Sequence, residues 1–285
     1  QTSFLIMVSL VPTVELTNDV SMPQLGFGVW QVDNDEVEQP VLEALSTGYR
    51  LIDTAEGYGN EEGVGKALQR SGIPRRDIFL TTKLDNSRQG FDETLRAFDE
   101  SLGKLKTDYL DLFLIHWPLP MRDRYVETWK AFIRLHQEGR IRAIGVSNFL
   151  PEHIERLQAE TGMMPVVNQL ELHPEFQQRG VRDVHRRHGI KLEAYSPLGS
   201  GAVLDNPEIG AIADRKGKTP AQIILRWHMQ QGIIAIPKSV TPDRIRSNFE
   251  IFDFELSDDD MASIAGLDKG EEGRTGSDPA TFDGG

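Results

Sequence analysis

Apolar positions along this chain fall into two alternating patterns. Short, nearly uninterrupted apolar runs recur near residues 24–30, 49–54, 77–83, 109–116, 141–147, 166–172, 190–195 and 233–237, as strands buried on both faces require. Most of the intervening stretches repeat their apolar residues at intervals of three and four. Residues 36–47 place Val37, Val41, Leu42 and Leu45 on one helical face, with Gly48 as the stop. Residues 92–105 do the same with Leu95, Phe98, Leu102 and Leu105. Asp92 is expected to cap that helix, and Thr219 followed by Pro220 to open a later one.

Strand and helix alternate eight times without a long linker, a low-complexity tract or a break in composition. That pattern predicts an α/β fold of the (β/α)₈ TIM barrel type, one domain over residues 1–285. Residues 12–22 form a short cap before the first barrel strand, and 256–285 a final helix and polar tail. In such a barrel the loops after the strands converge on one face. Asp53, Lys83 and His116 then become neighbours, and with them Ser147, Asn148, Gln169, Tyr195 and Lys238, each at or just past a strand end.

The formal net charge of −13 opposes binding to nucleic acid, and an anionic ligand requires a local basic clamp. The absence of Cys removes disulfides, thiolate metal sites and Cys nucleophiles. No apolar run approaches the roughly 18 residues of a membrane span. The first residues, Gln1 to Met7, lack the basic segment of a secretion signal. The chain is read as cytoplasmic, with Met7 a candidate native start. No exposed apolar stripe stands out, so a monomer is expected.

Taken singly, the polar strand-end residues have ordinary explanations. Asp53 can serve a turn, Lys83 a solvated strand end, His116 a hydrogen-bonded core position, and Tyr58 packing over its loop. Brought together, they suggest chemistry. A phenol of pKa near ~10 needs a cation to stabilise its phenolate before it serves as an acid. Lys83 supplies that cation for Tyr58, Asp53 holds the ammonium, and His116 orients a substrate oxygen. The proton acceptor is then a carbonyl oxygen becoming an alkoxide. None of these groups donates an electron pair, so a reduction requires a cofactor.

No Gly-x-Gly-x-x-Gly follows any strand run, so a nicotinamide nucleotide must be held outside a Rossmann unit. Lys238, Ser239 and Arg244, with Asn248 beyond, lie at a strand-to-helix junction suited to a phosphate. Ser147, Asn148 and Gln169 offer groups for a nicotinamide carboxamide, and Tyr195 a face for its ring. The stretch Ser196, Leu198, Gly199 and Ser200 lets backbone approach a pyrophosphate. A metal-dependent hydrolase is set aside, because no His-x-His pair ends a strand.

Three separated segments carry a resemblance to the aldo-keto reductase family: Gly48-Tyr-Arg-Leu-Ile-Asp53-Thr-Ala-Glu-Gly-Tyr58-Gly-Asn-Glu-Glu-Gly-Val-Gly65, Ile144-Gly-Val-Ser-Asn-Phe149, and Ile236-Pro-Lys-Ser239 with Arg244 and Asn248. The resemblance implies a (β/α)₈ barrel that reduces aldehydes and ketones with NADPH. It places the catalytic tetrad on Asp53, Tyr58, Lys83 and His116, the 2′-phosphate on Lys238, Ser239 and Arg244, and the adenine near Asn248. Trp30 and Trp117 lie in segments that resemble the family's substrate walls, and the tail over 270–285 is expected to line the pocket in part. Tyr58-Gly-Asn-Glu, His173-Pro174 and Trp227-His228 are similar to the bacterial branch that includes 2,5-diketo-D-gluconate reductases. Asp85 replaces a bulky aromatic common in that branch, and Tyr195 stands where Trp can occur. Both departures are expected to touch the pocket. Small dicarbonyls, aromatic aldehydes and keto-sugars are the candidate substrates. The alternative is an NADPH-binding regulatory or sensor protein with little turnover, since a fold alone does not define function.

Overall fold

The computed structural model describes residues 11–285, apart from the side chains of residues 200 and 202. The reading of Gln1 to Met7 as lacking a leader, with Met7 a start, lies outside the described residues.

A hairpin of Thr13–Glu15 (β1) and Ser21–Pro23 (β2) precedes the barrel. Eight parallel strands then hydrogen-bond to one another in chain order: Gly26–Gly28 (β3), Leu51–Asp53 (β4), Phe79–Leu84 (β5), Leu110–Ile115 (β6), Ile141–Ser147 (β7), Val167–Glu171 (β8), Lys191–Tyr195 (β9) and Ile234–Ala235 (β10). The last returns to the first through a parallel bridge between Leu25 and Ala235. Two bonds flank that bridge, Ala235 N–H to Gln24 O at 2.9 Å and Gly28 N–H to Pro237 O at 3.1 Å. Closure leaves the barrel sheet without an unpaired edge.

Closure also explains why the strand sequences are apolar throughout. One set of side chains fills the barrel and the other packs under the helices. Leu51, Phe79, Leu112 and Ile234 fill the interior near the strand starts, with Leu16, Val20 and Met22 of the hairpin segment against them. The cap expected over 12–22 is therefore a plug in the base of the barrel. Outside, Phe113 on β6 stacks on Phe132 at 4.4 Å, joining the barrel to its surrounding helices.

Those helices are Glu38–Thr47 (α1), Glu61–Arg70 (α2), Phe91–Leu105 (α3), Tyr125–Gln137 (α4), Pro151–Thr161 (α5), Arg179–His188 (α6), Pro207–Lys216 (α7), Pro220–Gln230 (α8), Pro242–Phe249 (α9) and Asp258–Ala265 (α10). Gly48 ends α1 at φ 131°, a conformation costly for any residue with a Cβ. Thr219 caps α8, with Gln222 answering in a capping box. Asp92 does not cap α3. The cap position is Gly90, and Asp92 lies in the first turn, where its charge faces the positive end of the helix dipole. A second difference is α7, an additional helix between β9 and β10. Asn206 caps it by accepting from Glu208 N–H at 2.9 Å, and Pro207 occupies its first position, the same signal that announces α8. Among the described residues no helix is long and apolar enough to cross a membrane.

Near the strand starts a buried carboxylate ties three segments together. Asp111 on β6 accepts from Arg75, Arg142 and the Leu80 N–H at 2.8, 2.8 and 2.9 Å. Its two cations are partly exposed and water screens them, whereas the Leu80 amide has no substitute partner. Asp111→Ala is expected to lower stability by about 2–3 kcal/mol, read from a denaturant midpoint. A change below about 0.5 kcal/mol would assign these contacts no structural weight.

Candidate active site

Asp53 closes β4, and the chain then makes a 3₁₀ turn over Glu56–Tyr58, ended by Gly59 at φ 69°. The turn aims Tyr58 back over the barrel. Lys83 comes up on β5, and His116 follows β6 directly. Lys83 and Asp53 are buried, at 0% and 1% exposure, and their charges meet at 2.6 Å. The ammonium has three hydrogens and three acceptors: Asp53 Oδ1 at 2.6 Å, Thr54 O at 3.1 Å and the Tyr58 hydroxyl at 3.1 Å. Because Lys83 has no lone pair, the Tyr58 oxygen accepts in that contact, and its own O–H hydrogen points elsewhere. His116 lies edge-on to the Tyr58 ring, 5.9 Å between centroids.

Each group has a defined charge state at neutral pH. Burial works against the Lys83 ammonium, but Asp53 and Tyr58 outweigh it and hold its pKa above the ordinary value. Burial pushes the Tyr58 phenol up, and Lys83 draws it only part of the way back. Lys83 thus acts in the direction that stabilises the phenolate, but burial outweighs it in the resting site. Tyr58 stays protonated, as a donor must, and the cation acts on the phenolate left after transfer. Burial first, and then Lys83, lower His116 to about 3. The imidazole is neutral and can donate a hydrogen bond without carrying charge.

These residues open onto a cavity of about 880 Å³ at the strand C-terminal ends. Its wall includes Trp30, Asp53, Tyr58, His116, Trp117, Ser147, Asn148, Gln169, Tyr195, Ser196, Leu198 and Lys238. Lys83 sits beneath the wall. Gly199, Ser239, Arg244 and Asn248 are not part of it. Gly199 is buried at φ 63° at the head of a 3₁₀ segment, Gly199–Asp205, where a Cβ would lie 2.4 Å from Val203. Its glycine is required by packing. Ser239, Arg244 and Asn248 follow Lys238 into α9, with Arg244 exposed and Asn248 buried. Asp85 is likewise absent from the wall. It accepts from Ser87 N–H and caps the turn Asn86–Arg88, so the expectation that it touches the pocket is not met.

The polar wall is one connected network. Tyr195 donates to Asn148 Oδ1 at 2.6 Å, Asn148 Nδ2 donates to His116 O at 3.0 Å and to Ser147 Oγ at 3.2 Å, and Ser147 donates to Gln169 O at 2.9 Å. Gln169 Nε2 donates to Asp53 Oδ2 and to Glu193 Oε1, both at 2.8 Å. With both amide hydrogens engaged, Gln169 has only its carbonyl oxygen to offer a ligand, which suits an incoming carboxamide N–H. Lys238 and Arg244 form no ion pair among the described residues, whereas nearby Arg246 bridges Glu43 and Asp243. Wall and uncommitted cations together fit a nicotinamide at one end and a phosphate at the other.

Two functional features were not anticipated from sequence. Glu193 is one. The other is Glu171, buried on β8, which holds the C-terminal tail. Glu171 accepts from Thr275 N–H at 2.8 Å, Thr275 Oγ at 2.7 Å, Gly276 N–H at 2.8 Å and His173 Nε2 at 2.9 Å. Burial raises its pKa, but these donors prevail and bring it to about 2. The stabilisation they provide is present above the ordinary carboxylate value and lost as pH falls through about 2. Thr275, Gly276 and Ser277 thereby join the cavity wall, and Phe282 packs on Trp117 at 4.4 Å. The tail does line the pocket. The available signal was the strand period: Glu171 and Gln169 share a face, as do Glu193 and Tyr195. Glu171→Gln presents an NH₂ to groups that are themselves donors. Amide exchange at Thr275 and Gly276 is expected to quicken by about tenfold or more, and unchanged exchange would show that the tail is held otherwise.

Fold and site together define a barrel that presents a protonated phenol, a buried ammonium and a neutral imidazole to a cavity of nucleotide size. Comparison with known proteins agrees. The model of the Aldo/keto reductase family matches residues 24–269. An aldo-keto reductase of Mycolicibacterium smegmatis is 56% identical over 95% of this chain and 98% of its own length. Methylglyoxal reductase DkgA of Escherichia coli K12 is 50% identical over 96% of this chain and 99% of its own. A mutant of Gox0644 solved in complex with NADPH is 50% identical with a TM-score of 0.92, covering 95% of this chain and 98% of that one. The chain belongs to the aldo/keto reductase family, an NADP-dependent oxidoreductase class acting on carbonyl groups.

Proposed function

We propose that this protein reduces small dicarbonyls, aromatic aldehydes or keto-sugars to alcohols, with Tyr58 as the general acid. The observation that carries the reading is the saturated Lys83 ammonium, which occupies the Tyr58 oxygen as acceptor and leaves the phenolic hydrogen free for the cavity. NADPH held along this wall would supply the hydride and its electron pair to the carbonyl carbon. Tyr58 gives its proton to the carbonyl oxygen, Lys83 stabilises the phenolate that remains, and Asp53 fixes Lys83. His116 donates a hydrogen bond to the same oxygen and orients it.

Within this reading Gln169 holds the nicotinamide carboxamide with Ser147 and Asn148, and Tyr195 stacks on the ring. Backbone over Ser196, Leu198 and Gly199 approaches the pyrophosphate. Lys238, Ser239 and Arg244 take the 2′-phosphate, and Asn248 lies near the adenine. Trp30, 52% exposed at the rim, and Trp117 under the tail form the substrate walls. The described residues work as one barrel domain, with cap (12–22) and tail (256–285) as parts of it, in a cytoplasmic monomer. Dicarbonyls are supported by the name of the Escherichia coli relative, a methylglyoxal reductase. A protonated Tyr58 beside its cation favours turnover over a regulatory role limited to binding NADPH.

The test is NADPH consumption, followed by absorbance, against methylglyoxal, phenylglyoxal, an aromatic aldehyde and a keto-sugar, with NADH in parallel. Turnover with NADPH preferred is expected. Tight NADPH binding without turnover of any carbonyl would return the regulatory reading.

A further inference from the structure

The reduction leaves Glu193, a buried acid beside the tetrad, without a role. Glu193, in the middle of β9, is fully buried and pairs in register with Gln169 on β8. Gln169 Nε2 divides its two hydrogens between Glu193 Oε1 and Asp53 Oδ2. The other Asp53 oxygen holds Lys83. The titratable and charged groups facing Glu193 are Asp53 from β4, Lys83 from β5 and Tyr58 from the turn after β4, while β10 sets the apolar Ile234 beside it.

One ammonium thus stands against two carboxyl groups in a dry interior. With both ionised, the site would carry a net negative charge, and Glu193 Oε2, which has no hydrogen-bond partner, would be a bare anionic oxygen. Burying such a charge unpaired is costly. Protonating Oε2 removes the charge and makes that oxygen a donor beside Asp53, the arrangement by which two close carboxyls divide one proton between them.

We propose that Glu193 is a positioning residue held as the neutral acid, which together with the Gln169 bridge keeps Asp53 the sole counter-ion of Lys83 and so sets Lys83 and Tyr58 in donor geometry. Burial and then the neighbouring Asp53 push the Glu193 carboxyl well above its ordinary value, with Lys83 pulling the other way. A neutral acid leaves the full attraction of Lys83 to Asp53 and Tyr58. An ionised one would compete for it. The role in catalysis rests on the reductase reading, but the protonation state does not.

Three measurements on Glu193→Gln and Glu193→Leu test this, two of them without turnover. The unfolded carboxyl ionises near 4.5 while the folded one keeps its proton, so wild-type stability falls relative to Glu193→Gln as pH rises. The melting temperature of Glu193→Gln should gain on wild type from about pH 5 to 8, by up to about tenfold in the folding equilibrium constant per pH unit. A gap independent of pH overturns the neutral acid. The infrared difference between wild type and Glu193→Gln at neutral pH should contain the C=O band of a protonated carboxylic acid, and a carboxylate band in its place also overturns it. In kinetics, Glu193→Leu should lower kcat about tenfold with KM within about twofold, and Glu193→Gln should restore kcat to within about threefold. Equal losses in both variants overturn the positioning role. If Glu193→Leu fails to fold, the measurements on Glu193→Gln still decide. A wild-type protein that reduces no carbonyl sinks the reductase reading alone, since the melting and infrared results stand without it.

Discussion

Replacing Tyr58 with Phe is expected to lower kcat for carbonyl reduction by about 10²–10⁴-fold, the range for removal of a general acid. NADPH affinity should stay within about threefold of wild type. Only the hydroxyl is lost. The ring can keep its edge contact with His116, and Lys83 keeps Asp53 and Thr54 O as partners. The missing group is the one protonated donor that the ammonium can stabilise as an anion. His116 cannot replace it, because with its pKa near about 3 the imidazole has no ready proton to give at neutral pH. Steady-state kcat beside a fluorescence titration of NADPH separates the two effects. Retention of most activity would remove Tyr58 as the acid.

Lys238→Met combined with Arg244→Ala should weaken NADPH by about 10²–10⁴-fold and NADH by no more than about threefold, since charge-assisted bonds to a phosphate are each worth about 1.5–3 kcal/mol. Among the described residues neither Lys238 nor Arg244 has a carboxylate partner that would compete with a phosphate. Arg246, on the same helix as Arg244, is by contrast committed to Glu43 and Asp243. Paired dissociation constants for the two nucleotides, measured at one salt concentration, check this. Equal weakening would refute the phosphate clamp.

Much of this arrangement was legible in the residues. Uninterrupted apolar runs marked all eight barrel strands, because a strand covered on both faces has no position for water. Polar residues ending those runs, Asp53 and His116 among them, pointed to one face once a barrel was inferred. Local signals were less secure. Thr219 and Asn206 carry the same cap-and-proline signal although a helix start is expected only at the first, and Asp92 resembles a cap although the cap of α3 lies two residues earlier, at Gly90. Each of those errors lies within a turn, where one residue decides the hydrogen bond.

The harder misses were at the site. Asp85 looked like a pocket residue from its place after Lys83, but its carboxylate turns to the Ser87 amide. At Gly199 the packing requirement was hidden, since a Cβ there would meet Val203 and His173. Glu171 and Glu193 gave no sign of their partners, since a carboxylate within a strand reads alike whether it faces solvent, a tail amide 104 residues away or the barrel axis. The barrel, the order of its strands and the chemical types at their ends are written in local periodicity, because burial acts on every residue. Which donors meet which acceptors is set by the folded barrel. Strand register and barrel closure bring Gln169 between Asp53 and Glu193 and lay the tail across Glu171, and no local pattern encodes a distance across a closed barrel.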